Sequence, residues 1–223
     1  SNTLTLSTEN NIANADITAS GAISGVTTLT ISNAGGTATL SGDVDVTTLA
    51  VDNTVANVAF TGNGSSVTNA VSFANDGTLT LGTSGGTQTY NGGLTENTAG
   101  AVGLNGTLNV SGGDFELGVV NIDSTTILNL IGDTNSLTFT AFGSTSNADL
   151  TINTDGSFNL NNTLDIGSGD LSINIDVDND GIEILTVGKG PSASSIIYNG
   201  SAASNDSLIG PNLQTTWTIT AGN

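Results

Sequence analysis

The chain is 223 residues long and strongly acidic: it has 20 Asp and Glu residues, one basic residue (Lys189) and no histidine, for a formal net charge of −19. Such a surface cannot neutralise nucleic-acid phosphates and is repelled by anionic membranes, so we expect neither as a partner. Because cysteine is absent, no disulfide staples the fold, and no apolar run is long enough to insert into a bilayer.

The composition predicts strands and turns throughout the chain. Thr, Val and Ile favour extended chain, whereas Asn, Asp and Gly favour turns, and there are 30 glycines alone. The long polar residues that usually cover the outer faces of helices are nearly absent. We therefore expect an all-β protein.

Short apolar-x-apolar segments recur along the chain at a nearly constant spacing. Val26–Ile31 returns as Val46–Val51 after 20 residues, and the strand at Leu108 returns at Leu128 after another 20. The clearest run, with steps of 8, 6 and 7 residues, is Leu150-x-Ile152, Phe158-x-Leu160, Leu164-x-Ile166 and Leu171-x-Ile173. Each segment is typical of a short strand with alternate residues facing inward.

Three such steps per repeat predict a three-sided coil with one short strand on each side. A single coil cannot bury its own inner face, but stacked coils share a core and pair their backbones with the coils above and below. The predicted fold is therefore a right-handed parallel β-solenoid, or β-helix, with about 20–22 residues per coil and roughly ten coils. At a strand spacing of about 4.8 Å, ten coils would form a rod of about 50 Å.

A turn phrase of Asp or Asn followed by Gly recurs before several strands. It reads Asp76-Gly-Thr-Leu-Thr-Leu81, Asn105-Gly-Thr-Leu-Asn-Val110 and Asp155-Gly-Ser-Phe-Asn-Leu160. We expect the glycine or asparagine of the phrase to adopt the positive φ that turns a corner of the coil.

The spacing divides the chain into two regions. Residues 1–187 carry the solenoid repeats, and residues 188–223 begin with a loop and continue with strands at a different spacing. These later strands are Ile196–Tyr198, Leu208–Ile209 and Trp217–Ile219. We interpret 188–223 as a loop plus a terminal β subregion that continues into, or pairs with, another chain, and we expect Trp217 to cap its core.

Two phrases resemble known bacterial surface proteins. Asn205–Asn212, followed by Thr215–Thr220 with its Thr-Trp-Thr-Ile-Thr, is similar to a phrase repeated in giant exoproteins of the filamentous-haemagglutinin and large-adhesin type. Asn75–Gly82 resembles repeats of autotransporter passengers and rickettsial surface antigens. The resemblance implies a right-handed β-helix, export to the extracellular bacterial surface, and a role in adhesion or coating. It also implies that the chain is a segment of a longer protein.

The acidic segment 176–181 is a candidate metal site. Carboxylates at Asp176, Asp178 and Asp180, followed by glycine, match the first half of a calcium-binding loop, and Glu183 would add a ligand. The position at which a full EF-hand loop places its last glutamate is Val187. The alternative is a solvated hairpin in which Asp176 and Asp178 face outward and residues 179–181 make the turn.

Two further pairs of residues are weaker candidates for binding. Asp43 and Asp45 lie two positions apart on one predicted strand and would face the same way, as metal ligands or as solvated side chains. Tyr198, like Trp217, is a candidate for stacking on host-surface or matrix glycans.

Catalysis has few groups to draw on in this sequence. Without His, Cys or Arg, neither a triad nor thiol chemistry can be assembled. β-Helical lyases hold uronates with Arg or Lys, and only Lys189 is present; a hydrolase would need two carboxylates to meet in a groove. We therefore do not expect an enzyme.

The leading functional hypothesis is a non-catalytic building block of a bacterial extracellular surface fibre, adhesin or coat. The first alternative is a self-assembling filament subunit, because the strand-like segments Ser1–Ser7 and Thr215–Thr220 would leave open sheet edges that pair head to tail with another copy or with adjoining parent chain. The second is a phage tail-fibre segment, suggested by Asp16–Gly25. A polysaccharide-active β-helix enzyme is a distant third.

Overall fold

The computed structural model describes residues 2–8, 12–96, 100–201 and 205–210. These residues form 21 strands and no helix, and hence no helix that could cross a membrane. The strands are β1 (Thr3–Ser7), β2 (Ile17–Ala19), β3 (Ile23–Ser32), β4 (Thr37–Leu40), β5 (Val44–Val51), β6 (Asn57–Phe60), β7 (Ser66–Val67), β8 (Val71–Phe73), β9 (Thr78–Leu81), β10 (Thr87–Tyr90), β11 (Leu94–Glu96), β12 (Ala101–Ser111), β13 (Phe115–Ile131), β14 (Leu137–Ser144), β15 (Leu150–Thr154), β16 (Phe158–Leu160), β17 (Thr163–Asp165), β18 (Asp170–Ile175), β19 (Ile184–Val187), β20 (Ser195–Asn199) and β21 (Ser207–Ile209).

The strands stack into a solenoid of about nine turns. Each turn has three sides, and the strands of successive turns pair along each side to form one of three faces. The first face begins with β1 and the end of β3, the second with β2 and β4, and the third with the starts of β3 and β5. The longest strand, β13, turns two corners and contributes to all three faces. Strand pairing is parallel for every pair among the described residues, which confirms the predicted all-β parallel solenoid.

The repeats predicted from the sequence stand one above another in register. Leu150 pairs with Leu171 on the next coil, and the neighbouring residues of β15 and β18 pair in the same order. Leu108 likewise pairs with Leu128, as the sequence period predicts. The apolar-x-apolar segments are therefore the inward-facing strands of consecutive coils.

Coil length varies more than the sequence spacing predicts. The chain completes a short coil between Val102 and its partner Val120, and a much longer one between Phe158 and its partner Leu185. The long coil contains the corner loop 176–183 between β18 and β19. The chain therefore makes about nine turns instead of ten, and at about 4.8 Å per turn the rod is roughly 45 Å long.

The core runs along the solenoid axis as a column of side chains from the three faces. On β12 alternate residues point inward, and Val102, Leu104, Leu108 and Val110 are all fully buried. The coils on either side cover these side chains, so the burial of one residue depends on two neighbouring coils. Burial of a Val or Leu side chain contributes about 1.5–3 kcal/mol.

Two polar side chains are buried within this column and are hydrogen-bonded to each other. Tyr90 donates from its hydroxyl to Oε1 of Gln88 (2.9 Å), and Gln88 Nε2 donates to the carbonyl oxygens of Phe60 (2.8 Å) and Gly62 (3.2 Å). Buried polar groups that are paired in this way cost little stability, whereas an unpaired group would cost about 1–3 kcal/mol.

The glycine of the recurring turn phrase is required for two different reasons. Gly106 has a φ of +71°, as predicted, and lies where β12 bends from the second face to the third. Gly77 and Gly156 are not among the positive-φ residues, so there the prediction is wrong. A Cβ on Gly156 would collide with the carbonyl oxygen of Asp133, and one on Gly77 would lie 2.6 Å from that of Ala56. At these corners the close approach of the preceding coil excludes a side chain.

Acidic side chains at the corners hold consecutive coils together. Asp43 Oδ1 accepts a hydrogen bond from the backbone N–H of Gly64 (2.8 Å), and Asp149 Oδ1 accepts one from Asp170 (2.9 Å). Asp16 likewise accepts a hydrogen bond from the N–H of Thr37, and Asp114 accepts one from the N–H of Ser136; at one corner the amide oxygen of Asn57 takes the same role and accepts from the N–H of Thr78. Part of the acidity of the chain therefore serves to satisfy corner N–H groups that the sheets leave unpaired.

An asparagine ladder climbs the third face over five coils. Asn129 donates from Nδ2 to Oδ1 of Asn109 (2.7 Å), Asn153 to Asn129 (2.7 Å), Asn174 to Asn153 (2.6 Å) and Asn199 to Asn174 (2.6 Å). Each inner member donates to one coil and accepts from the next, so the ladder reinforces the backbone pairing. The ladder is not evident in the sequence, because its steps of 20, 24, 21 and 25 residues differ too much to form an obvious repeat.

The described part of the predicted terminal subregion continues the same sheets. β20 pairs with β18 and β21 pairs with β19, both in parallel. Within the described residues no strand lies beyond β20 or β21, and Ile196, Ile197, Leu208 and Ile209 are 39–50% exposed. The predicted strand Trp217–Ile219 lies outside the described residues, and the proposed boundary at residue 188 stays a prediction.

The first face is interrupted near this end of the solenoid. β16, β19 and β21 form a separate three-stranded sheet, and in the described part of the chain β16 does not pair with β14 of the coil before. A cleft of about 200 Å³ lies between them, lined by Leu137, Phe139, Phe158 and Asn161 among others. Asn162 bridges it by donating from Nδ2 to the carbonyl oxygen of Phe139. The last coils are therefore joined to the rest mainly through the other two faces.

Candidate metal centre

The acidic segment of the sequence forms a corner loop, residues 176–183, between β18 on the third face and β19 on the first. The alternative prediction of a hairpin is wrong, because β18 pairs with β15 and β20 whereas β19 pairs with β16 and β21. The predicted outward orientation of Asp176 is wrong as well, since this residue is only 1% exposed. Asp178 is exposed, as predicted.

Two residues with positive φ turn the chain within this loop. Asp176 has a φ of 54° and Asn179 a φ of 63°, a region that Asp and Asn tolerate better than other residues with a side chain. The N–H of Asn179 donates to the carbonyl oxygen of Asp176 (3.2 Å), and the N–H of Asp180 donates to the side-chain Oδ1 of Asp176 (3.0 Å). The turn buries the side chain of Asp176 and leaves Asp178 and Asp180 outside.

Asp176, Glu183 and Asp206 form an inner carboxylate group. One carboxylate oxygen from each lies within 4.8 Å of the others. Asp176 follows β18, Glu183 precedes β19 and Asp206 precedes β21, so the group joins two consecutive coils. Asp206 is held in place by two backbone donors, the N–H of Glu183 to Oδ1 (3.1 Å) and the N–H of Ser201 to Oδ2 (2.6 Å).

The carboxylate of Glu183 is the least satisfied member of this group. The residue is 8% exposed, and its Oε2 is buried without a hydrogen-bond partner among the residues that the structure describes. Burial, followed by the nearby carboxylates of Asp176 and Asp206, raises the pKa of Glu183. A buried carboxylate beside two others is stabilised by any cation that can reach it.

Asp133, Asp178 and Asp180 form an outer carboxylate group on the solvent side of the same corner. Their oxygens also lie within 4.8 Å of one another, but all three residues are exposed. Partial desolvation, followed by the carboxylates of Asp155 and Asp180, raises the pKa of Asp178. Water can solvate this group directly, and exposed carboxylates tolerate one another at modest cost.

The four residues predicted to bind calcium are thus divided between the two groups. Asp176 and Glu183 belong to the inner group, and Asp178 and Asp180 belong to the outer one. The loop turns too sharply after Asp176 for its alternate carboxylates to be placed side by side as in a calcium-binding loop. Calcium binding by these residues stays a prediction, but the structure does not bring all four into one site.

Two members of these groups were not identified from the sequence, although the coil period carried the signal. Asp206 lies one coil after Glu183, and the adjoining residues Ile184 and Ser207 pair across β19 and β21. Asp133, Asp155 and Asp178 likewise follow one another at steps of about one coil. Acidic residues one coil apart at a corner come together in a solenoid.

The other candidate residues have structural surroundings of their own. Asp43 accepts the corner hydrogen bond from Gly64, and Asp45 is exposed on β5 opposite Ser66. Tyr198 is half-buried and packs against the core. Trp217 lies outside the described residues, so glycan stacking by either aromatic residue stays a prediction.

No protein-family model, curated protein or solved structure matches the chain. The resemblance to exoproteins and adhesins therefore rests on the phrases of the sequence, of which Thr215–Thr220 lies outside the described residues. The fold is established by strand pairing alone.

Proposed function

We propose that this chain is a non-catalytic structural segment of an extracellular bacterial surface fibre, adhesin or coat. The observation that supports this function best is the bonding of coil to coil. Backbone pairing joins consecutive coils, corner carboxylates add hydrogen bonds at several of the junctions, and the asparagine ladder links the five coils from Asn109 to Asn199, so many polar side chains of the surface hold the rod together.

The physical properties of the rod suit a position outside the cell. It carries a formal net charge of −19, which opposes sideways aggregation of neighbouring rods. Lys189 is the only residue after which trypsin-like proteases cut, so the chain is a poor substrate for them. The parallel ladders resist unfolding because each internal coil is paired on both sides.

Surface exposure can be tested on intact cells of the source bacterium. An antiserum against the purified chain should label intact cells, and brief proteinase K treatment of those cells should remove the label. A cytoplasmic protein probed in parallel is the control for lysis. Labelling that appears only after permeabilisation would contradict the proposed location.

Head-to-tail association is a second candidate function, favoured by the outermost strands of the described solenoid. In the part of the chain that the structure describes, β1 pairs only with β3 and β20 pairs only with β18. Open parallel edges of this kind recruit further strands, and Ile196 and Ile197 are exposed beside one of them. A contact between unlike ends does not close on itself and propagates as a fibre.

Deletion of residues 1–7 tests this second function. The full chain should sediment as a concentration-dependent series of oligomers and form filaments in negative stain. The shortened chain should remain a monomer with an unchanged β-rich circular dichroism spectrum. A full chain that stays a compact monomer at high concentration, with and without calcium, would exclude self-assembly.

A further inference from the structure

We propose that the inner carboxylate group, Asp176, Glu183 and Asp206, binds one calcium ion that ties the coil ending at β21 to the coil before it. The site differs from the loop predicted from the sequence, since it excludes Asp178 and Asp180 and recruits Asp206 from the following coil. The inference is independent of the proposed surface location, because binding is measured on the purified chain.

The spacing of the three oxygens fits calcium. Calcium lies about 2.3–2.6 Å from its oxygen ligands, so two oxygens on opposite sides of the ion are at most about 5 Å apart. The oxygens of the inner group fall within 4.8 Å of one another. Magnesium, at about 2.0–2.1 Å, is also compatible with this upper limit, but it gives up its water reluctantly and demands a near-ideal octahedron, so carboxylates from two coils suit the more flexible coordination of calcium better.

The surroundings of Glu183 suit a positively charged ligand. Its Oε2 has no hydrogen-bond donor within the described residues, although the side chain is more than nine-tenths buried and directed at two other carboxylates. A buried oxygen without a partner is destabilising, and a buried charge more so. The chain offers no basic residue apart from Lys189, which is exposed. A divalent cation would satisfy Oε2 and reduce the repulsion among the three carboxylates in one step.

The position of the group explains what an ion would do there. Glu183 and Asp206 stand directly before β19 and β21, and the chain between them contains β20. This is also the region where the first face is interrupted and where, among the described residues, β20 and β21 are covered on one side only. Calcium would therefore link the two ends of the segment between Glu183 and Asp206, in the region where the coils are least well packed.

Calorimetric titration of the purified chain with calcium chloride tests the site. We expect one site with a Kd on the order of 10⁻⁴ M, typical of extracellular calcium modules. Glu183→Gln should weaken it by at least about tenfold, which corresponds to about 1.4 kcal/mol. Asp206→Asn should act in the same direction. The matched control is the double variant Asp178→Asn/Asp180→Asn in the outer group, which should keep the wild-type affinity within about threefold.

Cleavage at Lys189 gives an independent readout of the tie. Lys189 is the only lysine, is exposed, and lies between Glu183 and Asp206. Endoproteinase Lys-C should cut the chelator-treated wild-type protein faster than the calcium-loaded one, by about fivefold or more if local opening controls cleavage. The double control variant should show the same protection, and Glu183→Gln should show none.

The melting temperature of Glu183→Gln shows whether this variant is folded. Without calcium, Glu183→Gln should melt at a higher temperature than the wild type, because it removes a buried charge beside two carboxylates; with calcium the order should reverse. Absence of binding by the wild type, unchanged binding by Glu183→Gln, or loss of binding by the outer-group variant would each overturn the site. Binding without protection of Lys189 would overturn the tie between coils.

Discussion

The interior coils and the last described coil of the solenoid carry the same strand pattern but bury it to different extents. Leu171 on β18 is 1% exposed, whereas Ile196, its partner in register on β20, is 39% exposed. In the neighbouring ladder Leu185 is 2% exposed and its partner Leu208 is 44% exposed. Within the part of the chain that the structure describes, the buried members lie between two coils and the exposed members have a coil on one side only. Burial in a solenoid is therefore conferred by the neighbouring coils as much as by the residue itself.

The two regions also use their acidic residues differently. In the interior, single carboxylates such as Asp43 and Asp149 each accept one corner N–H from the next coil. At the end, Asp176, Glu183 and Asp206 lie close together, and Oε2 of Glu183 has no hydrogen-bond partner among the described residues. The interior is stabilised by packing and by hydrogen bonds between coils, whereas the proposed calcium site would make the end sensitive to cations.

The largest expected difference between the regions concerns leucine side chains. Leu150→Ala, at a fully buried position in the interior, should lower the free energy of unfolding by about 3 kcal/mol, since it leaves a cavity between coils. The matched change Leu208→Ala, at a position 44% exposed, should cost about 1 kcal/mol or less. Urea denaturation followed by circular dichroism measures both. Equal losses would show that the end coil is as well packed as the interior.

A smaller difference is expected along the asparagine ladder. Asn153→Ala removes a side chain that donates to Asn129 and accepts from Asn174, and should cost about 1–2 kcal/mol. Asn199→Ala at the end removes one such bond and should cost about 0.5–1 kcal/mol. Asn153→Ser, a short polar replacement that cannot span both coils, should lower the free energy of unfolding by about as much as Asn153→Ala does. If Asn199→Ala proves the more costly of the two positions, the ladder does not gain strength from its interior members.

The smallest effect concerns the two tyrosines, one in each region. Complete burial raises the pKa of Tyr90 far above its usual value, and partial burial raises the pKa of Tyr198 to about 12. Both shifts favour the neutral phenol in the folded state, so their contribution to stability is fully present below about pH 10 and declines as the pH rises further. Phenolate absorbance should show Tyr198 ionising in the folded protein and Tyr90 only on unfolding. Simultaneous ionisation of both would mean that the interior opens as readily as the end.

Much of the solenoid could be predicted from the sequence because its signals are local and repeated. The regular steps after Leu150 predict the pairing of Leu150 with Leu171, and the structure contains it. The role of Gly77 and Gly156 could not be predicted in the same way. Their requirement comes from backbone atoms of the previous coil, far away in the sequence, and not from the φ of the turn itself.

The candidate site was only half predictable for a related reason. The composition of segment 176–183 shows that acidic residues gather at one corner, but not which of them turn inward. The positive φ of Asp176 turns its side chain inward, where its carboxylate lies beside Glu183 and belongs to a different group from Asp180. The two missed residues, Asp133 and Asp206, join their groups from other coils.

Three features of the protein follow from its local sequence, because each depends on residues within a few positions of one another: the strand character, the inward alternation of apolar residues and the coil as the unit of repetition. Which coils meet at which residues depends instead on the three-dimensional fold. The separation of paired positions changes from coil to coil, since the corner loops differ in length, and a shift by a single position reverses the side to which a side chain points. The meeting of Glu183 with Asp206 and the stacking of Asn153 on Asn129 are consequences of that register.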